Sequence, residues 1–413
     1  ASGHLAMEYS KSLREAVDDF PYNPEGMYYF YDRLKAFIDP ENRELADKKV
    51  IATMCIYVPD EIIYALEAFP LRICSGSYTH DQVGAEFMPA KACSLVKSTV
   101  GNIHLEQFPM GAKPLLLVNP TSCDQKKKLA EIETSSVIPF YTLEVPPSKD
   151  SDAARTYWAH VMGEFILKLE KVTGNKLTRK KLKDAILLIA RAQEEYRKLY
   201  NLRMKFPLIW GKDVIILTNT YFFEDIKVWT AKLAELNREL EERLAKKQFV
   251  VNEIAPRVIL TGSPSIFPNI KLPAMVEQLG ALVVADDFCS SSRLLYDTVA
   301  VDEWFLYDMI PALADRYLKP CTCPNLTPNT DRDRKLIKTV KESNADGVIY
   351  QAFAGCHLYE MESLRISRML EAEGIPMLYV ETDYNPDDTG QLSTRLEAFL
   401  ESIKNKKRHK VKA

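Results

Sequence analysis

Residues 113–132 read KPLLLVNPTSCDQKKKLAEI, and residues 347–364 read GVIYQAFAGCHLYEMESL. Each starts with an apolar run of strand length, turns through a few small or polar residues, meets a cysteine and continues as a helix. A strand that feeds a helix through a short loop is a βα unit. Repeated, such units build a parallel sheet covered by helices. The same grammar marks KKVIATMCIYVP (48–59), SVIPFYTLEVPP (136–147), APRVILTGSP (255–264), ALVVADD (281–287) and IPMLYVETD (375–383) as strands.

Between these groups, residues 151–249 lose the alternation. DAARTYWAHVMGEFILKLEKVTG, TRKKLKDAILLIARAQEEYRKLYNLR and FEDIKVWTAKLAELNRELEERLAKKQ are long helical patterns with mixed charge on their outer faces. The expected fold class is therefore α/β, with two Rossmann-like, flavodoxin-like parallel-sheet domains and a helical segment. The boundaries read as an N-terminal helical segment over 1–48, a first α/β domain over 49–150, a helical domain over 151–250 and a second α/β domain over 251–413. The second domain looks like a divergent echo of the first.

A chain of 413 residues is too long for one core, and 46% hydrophobic with 27% charged residues is a soluble globular composition. A net charge of -3 offers no electrostatic footprint for nucleic acid. No apolar run reaches membrane-spanning length. ASGHLAM (1–7) reads as a vector-derived leader with no signal peptide behind it, and KNKKRHKVKA (404–413) as a frayed, solvated tail. The expected location is the cytoplasm. In that reducing compartment eight cysteines are not a disulfide framework.

The cysteines are then core thiols, metal ligands or nucleophiles. Cys123 and Cys356 follow strands and head helices, Cys289 follows ALVVADDF, Cys74 follows FPLRI, and Cys93 opens ACSLVKSTVG. Cys321 and Cys323 share the loop LKPCTCPN (318–325), which two prolines hold out of helical conformation. At strand ends and helix starts, free backbone N–H groups lower thiol pKa values and favour anions. Thiolates holding an iron–sulfur cluster suit such places. Cys55 differs, because it alternates inside IATMCIYV and reads as a buried core thiol. Zinc is the next alternative, but its sites usually carry paired C-x₂₋₄-C ligands, whereas the close pair here is C-x-C. Nucleophilic catalysis lacks a clear partner, since His357 beside Cys356 in sequence establishes no geometry.

The ordered set MCIYVPDEIIYALEAFPLRICSGS, CSLVKSTVG, VNPTSCD, ALVVADDFCSSSR, RYLKPCTCP and DGVIYQAFAGCH resembles the iron–sulfur subunits of 2-hydroxyacyl-CoA dehydratases and benzoyl-CoA reductases. Within them it most resembles the double-cubane cluster branch. The likeness covers most of residues 45–405. In the dehydratase subunits three cysteines hold one [4Fe–4S] cluster, and Cys93, Cys123 and Cys356 match them. The double-cubane branch holds an [8Fe–9S] cluster on six cysteines: two cubanes share a sulfide, whose two ends complete the eight outer bonds. The resemblance thus implies Cys74, Cys93 and Cys123 from the first half, with Cys289, either Cys321 or Cys323, and Cys356 from the second.

No G-x-x-x-x-G-K-[ST] loop is present, and LTGSPSIFPN (260–269) has one glycine where a dinucleotide turn wants three. The resemblance supplies a different source of electrons, an ATP-hydrolysing [4Fe–4S] reductase that docks transiently. It implies a homodimeric, anaerobic oxidoreductase that reduces small multiply bonded molecules at the cluster. The alternatives are a 2-hydroxyacyl-CoA dehydratase subunit with a single [4Fe–4S] cluster, a lyase, and a non-catalytic electron-transfer protein. Arg293, Asp286, Asp287 and His357 flank the thiols. Arg293 and His357 are the candidate proton donors, although ion pairing is the expected role of the first three.

Overall fold

A computed structural model of the chain describes residues 2–105, 108–132 and 138–412. Its first sheet comprises β1 (Val50–Thr53), β2 (Phe69–Arg72), β3 (Pro114–Pro120) and β4 (Phe140–Leu143). The second comprises β5 (Arg257–Gly262), β6 (Leu282–Asp286), β7 (Gly347–Phe353) and β8 (Met377–Thr382). The orders are β2-β1-β3-β4 and β6-β5-β7-β8, and every pairing is parallel. This is the expected α/β class of two Rossmann-like units. All seven residues of β7 are buried, as are the last five of β3, which explains their unbroken apolar runs. Residues 136 and 137 of the expected strand 136–147 lie outside the described residues.

In both sheets the chain leaves the first strand outward and then returns to its other side. The switch points therefore fall between β1 and β3 and between β5 and β7. In open sheets of this kind, ligands collect beyond the carboxyl ends of the strands at such points.

The intervening helices are Asp152–Thr173, Arg179–Lys205 and Ile226–Ala245, with side-chain caps from Ser151, Thr178 and Asp225. A fourth helix, Gly211–Thr220, was not expected from periodicity. All ten of its residues are buried, so it has no polar face to set a 3.6-residue rhythm. A Cβ at Gly211 would stand 2.4 Å from that of Val283, so only glycine lets this helix lie against β6. The buried Lys212 ammonium pairs with Asp213 at 2.6 Å and lies 4.3 Å from the Phe20 ring centroid.

Residues 2–7 form the start of a helix, Ser2–Asp18, within the segment read as helical over 1–48. Two local expectations change. The C-terminal stretch continues the helix Thr389–Lys412 instead of fraying after residue 404. The strand expected to run through Cys55 stops at Thr53, and Cys55 itself has a left-handed φ of 75°. Among the described residues no helix is long and apolar enough to cross a membrane.

Candidate cluster site

Beyond the carboxyl ends of both sheets lies a cavity of about 730 Å³, lined by Cys55, Cys93, Cys123, Cys289, Cys323 and Cys356. Three of these thiols come from the first α/β unit and three from the second. Cys55 follows β1 and Cys123 follows β3, the two strands that flank the first switch point. Cys356 follows β7 at the second, where Ser263 and Pro264 beyond β5 also line the cavity.

Local structure explains why these loops deliver thiols. Cys93 is the N-cap of the helix Ser94–His104 and Cys356 that of His357–Ala372, while Cys123 immediately precedes Asp124–Ile132. At each start the first N–H groups lack helical partners and present partial positive charge. Gly355 has φ 79°, and a Cβ there would sit 2.1 Å from the carbonyl oxygen of Lys91. The missing side chain lets the Cys356 loop close on the backbone that leads into Cys93.

Two side chains, the half-buried Gln125 and the buried Lys149, tie the units together at the site. Gln125 accepts the Cys93 amide at 2.9 Å and donates to the carbonyl of Gly355 at 2.9 Å. Lys149 donates to the carbonyls of Lys319 and Cys321 at 3.0 and 2.8 Å and pairs with Asp331 at 2.9 Å, which anchors the loop of Cys321 and Cys323. Neither contact has a local signature, since each spans more than 150 residues of chain.

The thiols are electrostatically unequal. The Cys93 thiol donates to Cys356, which brings Cys356 down to about 7 despite its burial, helped by the backbone amides of Tyr359 and Leu358. The same bond, with burial, pushes Cys93 well up. Burial raises Cys55, but Lys126, the Ser122 hydroxyl and the Tyr57 amide outweigh it and hold that thiol below its ordinary value. Burial dominates at Cys289, pushed up to about 11 against the opposing pull of Arg293. Burial and the neighbouring Cys321 raise Cys323.

Two cations face this set. Burial disfavours the charged Lys126 ammonium, yet Cys55, Cys74, Cys123 and Cys289 together hold its pKa above the ordinary value. Arg293 donates to the carbonyl of Thr322 at 3.1 Å and to the Tyr359 hydroxyl at 2.7 Å, with Asp287 at 3.5 Å. Asp287 also pairs with Arg332, and Asp286 is fully engaged with Arg203 at 2.6 Å. Ion pairing therefore accounts for Asp286 and Asp287. His357 stands at the rim with its side chain 79% exposed, 3.4 Å from Glu360.

The expected residues do not all meet. Cys74 lines a separate cavity of about 580 Å³, and Cys321 lies buried beside Tyr57. Cys55 takes a place at the thiol cavity that its strand-like surroundings concealed. The signal that could have found it is the switch-point rule, once β1 is ended at Thr53. Among the described residues no three His, Cys, Asp or Glu side chains converge tightly enough for a single ion. The donor set is instead six thiols spread around one cavity, three at or beside helix starts and with two cations facing them. Such a set fits an anionic, thiolate-held cluster.

Comparison with known proteins agrees with this architecture. A family model described as 2-hydroxyglutaryl-CoA dehydratase, D-component, matches residues 55–403. The chain is 30% identical over 358 residues to a protein of Escherichia coli (strain K12) provisionally named a dehydratase subunit, covering 86% of this chain and 91% of that protein. It is 26% identical over 370 residues to the β subunit of (R)-2-hydroxyglutaryl-CoA dehydratase of Acidaminococcus fermentans, covering 86% and 93%. To one of the benzoyl-CoA reductase subunits of Thauera aromatica it is 24% identical over 373 residues, covering 86% and 91%. With the family match beginning at Cys55 and running through all six cavity thiols to residue 403, the chain belongs to the 2-hydroxyglutaryl-CoA dehydratase D-component family.

Proposed function

We propose that the protein is an iron–sulfur reductase whose [8Fe–9S] double-cubane cluster is held by Cys55, Cys93, Cys123, Cys289, Cys323 and Cys356. The observation that carries this reading is the meeting of three thiols from each α/β unit around one cavity. Relative to the set implied by resemblance alone, Cys55 replaces Cys74, and Cys323 is chosen over Cys321. When bound, the cluster supplies low-potential electrons to a small multiply bonded substrate. A separate ATP-hydrolysing [4Fe–4S] reductase charges it, and the protein works as a cytoplasmic homodimer.

The protein's own residues do the remaining work. Helix starts at Cys93, Cys123 and Cys356 direct N–H dipoles at the anionic centre. Lys126 and Arg293 offset its charge in a partly desolvated site, where a nearby cation counts for far more than in water. Gln125 sets the spacing between the loops of Cys93 and Cys356. His357 stands at the rim with Glu360 3.4 Å from its ring, where protons can pass from solvent to the cavity. The 324–330 loop and Met361 line the remaining space and limit the substrate to a small molecule.

A second reading has one specific observation in its favour. Gln125 links the loops of Cys93, Cys123 and Cys356, the three positions that resemble a single [4Fe–4S] site, and the named relatives include dehydratase subunits. On that reading the protein is a 2-hydroxyacyl-CoA dehydratase subunit. Anaerobic iron and sulfide analysis decides between them: about eight irons per chain for the double cubane, about four for the single. EPR of the dithionite-reduced protein and turnover with a reductase and ATP then test catalysis. Stoichiometric zinc in a colourless anaerobic preparation overturns both readings.

A further inference from the structure

At each switch point a serine stands across from a cavity thiol. In the first unit Cys55 follows β1, and Ser122 lies in the loop after β3. In the second unit Cys356 follows β7, and Ser263 directly follows β5. Both serines line the thiol cavity and both are buried. The Ser122 hydroxyl donates to Cys55, and the Ser263 hydroxyl donates to Cys356. Each unit thus sets a thiol beyond one central strand and a hydroxyl donor beyond its neighbour, in opposite chain order.

Ser263 is held so that little else is open to its proton. Its amide donates to the carbonyl of Gln351 at 2.7 Å, and its own carbonyl accepts from Gln351 Nε2 at 2.8 Å. Its Oγ accepts the Phe353 amide at 3.1 Å. With both backbone groups and one side of the hydroxyl engaged by β7, the remaining O–H meets Cys356. Ser122 is placed by its amide, which donates to the carbonyl of Pro120 at 2.8 Å in the turn that leads into Cys123. A buried hydroxyl needs an acceptor for its proton, and an ionised sulfur is a stronger one than a neutral thiol.

We propose that Ser122 and Ser263 are positioning residues of the cluster, whose O–H···S hydrogen bonds to Cys55 and Cys356 stabilise its reduced form and raise its midpoint potential. This rests on the cluster reading above. Hydrogen bonds to the sulfurs are among the effects that set the potential of an iron–sulfur centre. Reduction makes the ligand sulfurs more negative, so each bond strengthens in that state. The helix-start amides act in the same direction but belong to the backbone, whereas each hydroxyl can be removed by one substitution. The two serines also report on different thiols, since Cys356 matches the single-cubane set and Cys55 does not.

The test is EPR-monitored redox titration of the anaerobically purified full chain, with iron counted in every protein. Wild type is compared with Ser122→Ala, Ser263→Ala, Ser122→Thr and Ser263→Thr. Each Ala variant keeps its iron and lowers the midpoint by about 60 mV, an about tenfold loss in the one-electron equilibrium constant. Each Thr variant keeps a hydroxyl and stays within about twofold of wild type, roughly 20 mV. Full iron with unchanged midpoints in both Ala variants overturns the proposal and leaves the cluster reading standing. A shift in Ser263→Ala alone overturns the assignment to Ser122. A wild-type protein without an iron–sulfur cluster overturns the cluster reading and this inference with it. Where an Ala variant loses iron, its Thr counterpart decides: wild-type iron and midpoint support the hydrogen bond, and iron loss there too overturns it.

Discussion

Gln125 donates its side-chain amide to the carbonyl of Gly355 across 230 positions of sequence, at 2.9 Å. Its oxygen simultaneously accepts the Cys93 amide at 2.9 Å. One side chain on the helix after Cys123 thus keys the two other loops that resemble a single-cubane site. Gln125→Leu should cost about 2–3 kcal/mol, since it leaves two backbone groups without partners. Iron per chain should fall with it. Gln125→Glu keeps the acceptor for Cys93 and should be intermediate. Denaturant unfolding and iron analysis of the three proteins check this; wild-type values for Gln125→Leu would remove the keying role.

The thiol set makes a paired prediction. Cys55→Ser and Cys323→Ser should each lower iron content and the cluster's EPR signal. Cys74→Ser and Cys321→Ser, outside the cavity lining, should keep most of both. If Cys74→Ser loses iron as completely as Cys55→Ser, the cavity lining does not define the ligands.

Lys126 is a cation facing Cys55, Cys74, Cys123 and Cys289. Removing it destabilises the reduced, more negative centre, so Lys126→Met should shift the midpoint potential downward. The shift should be on the order of 100 mV, from a charge several ångströms away in a medium of intermediate dielectric. Lys126→Arg should restore most of it. EPR-monitored redox titration is the check, and a midpoint within about 20 mV of wild type for Lys126→Met would count against the role.

His80 carries a pH prediction. Burial lowers its pKa from 6.5 to about 4, so between these values the unfolded chain binds a proton that the folded chain refuses. Its contribution is fully present above pH 6.5 and is lost as the pH falls toward about 4, reaching about 3 kcal/mol at most. His80→Asn, whose Oδ1 can replace Nδ1 opposite Ser75, should flatten that part of the stability curve. Urea unfolding across this range measures it, and parallel curves for the two proteins would show that another group titrates.

Short-range pattern carries a definite share of this protein. Apolar runs of four to seven residues ending in small loops are enough to predict β3, β7 and their following helices, and with them the placing of Cys123 and Cys356 at helix starts. The ordered motifs also carried the family. Which thiols meet is settled instead by long-range packing. Whether Cys55 faces the core or the cavity depends on β1 stopping two residues earlier and on one left-handed φ, and neither leaves a mark in IATMCIYV. Cys74, after the outer strand β2, ends up behind the site, and Cys55, after the central strand β1, ends up in it, because strand order is set by long-range pairing. The helix Gly211–Thr220 was hidden for a related reason: buried all round, it has no amphipathic period to read.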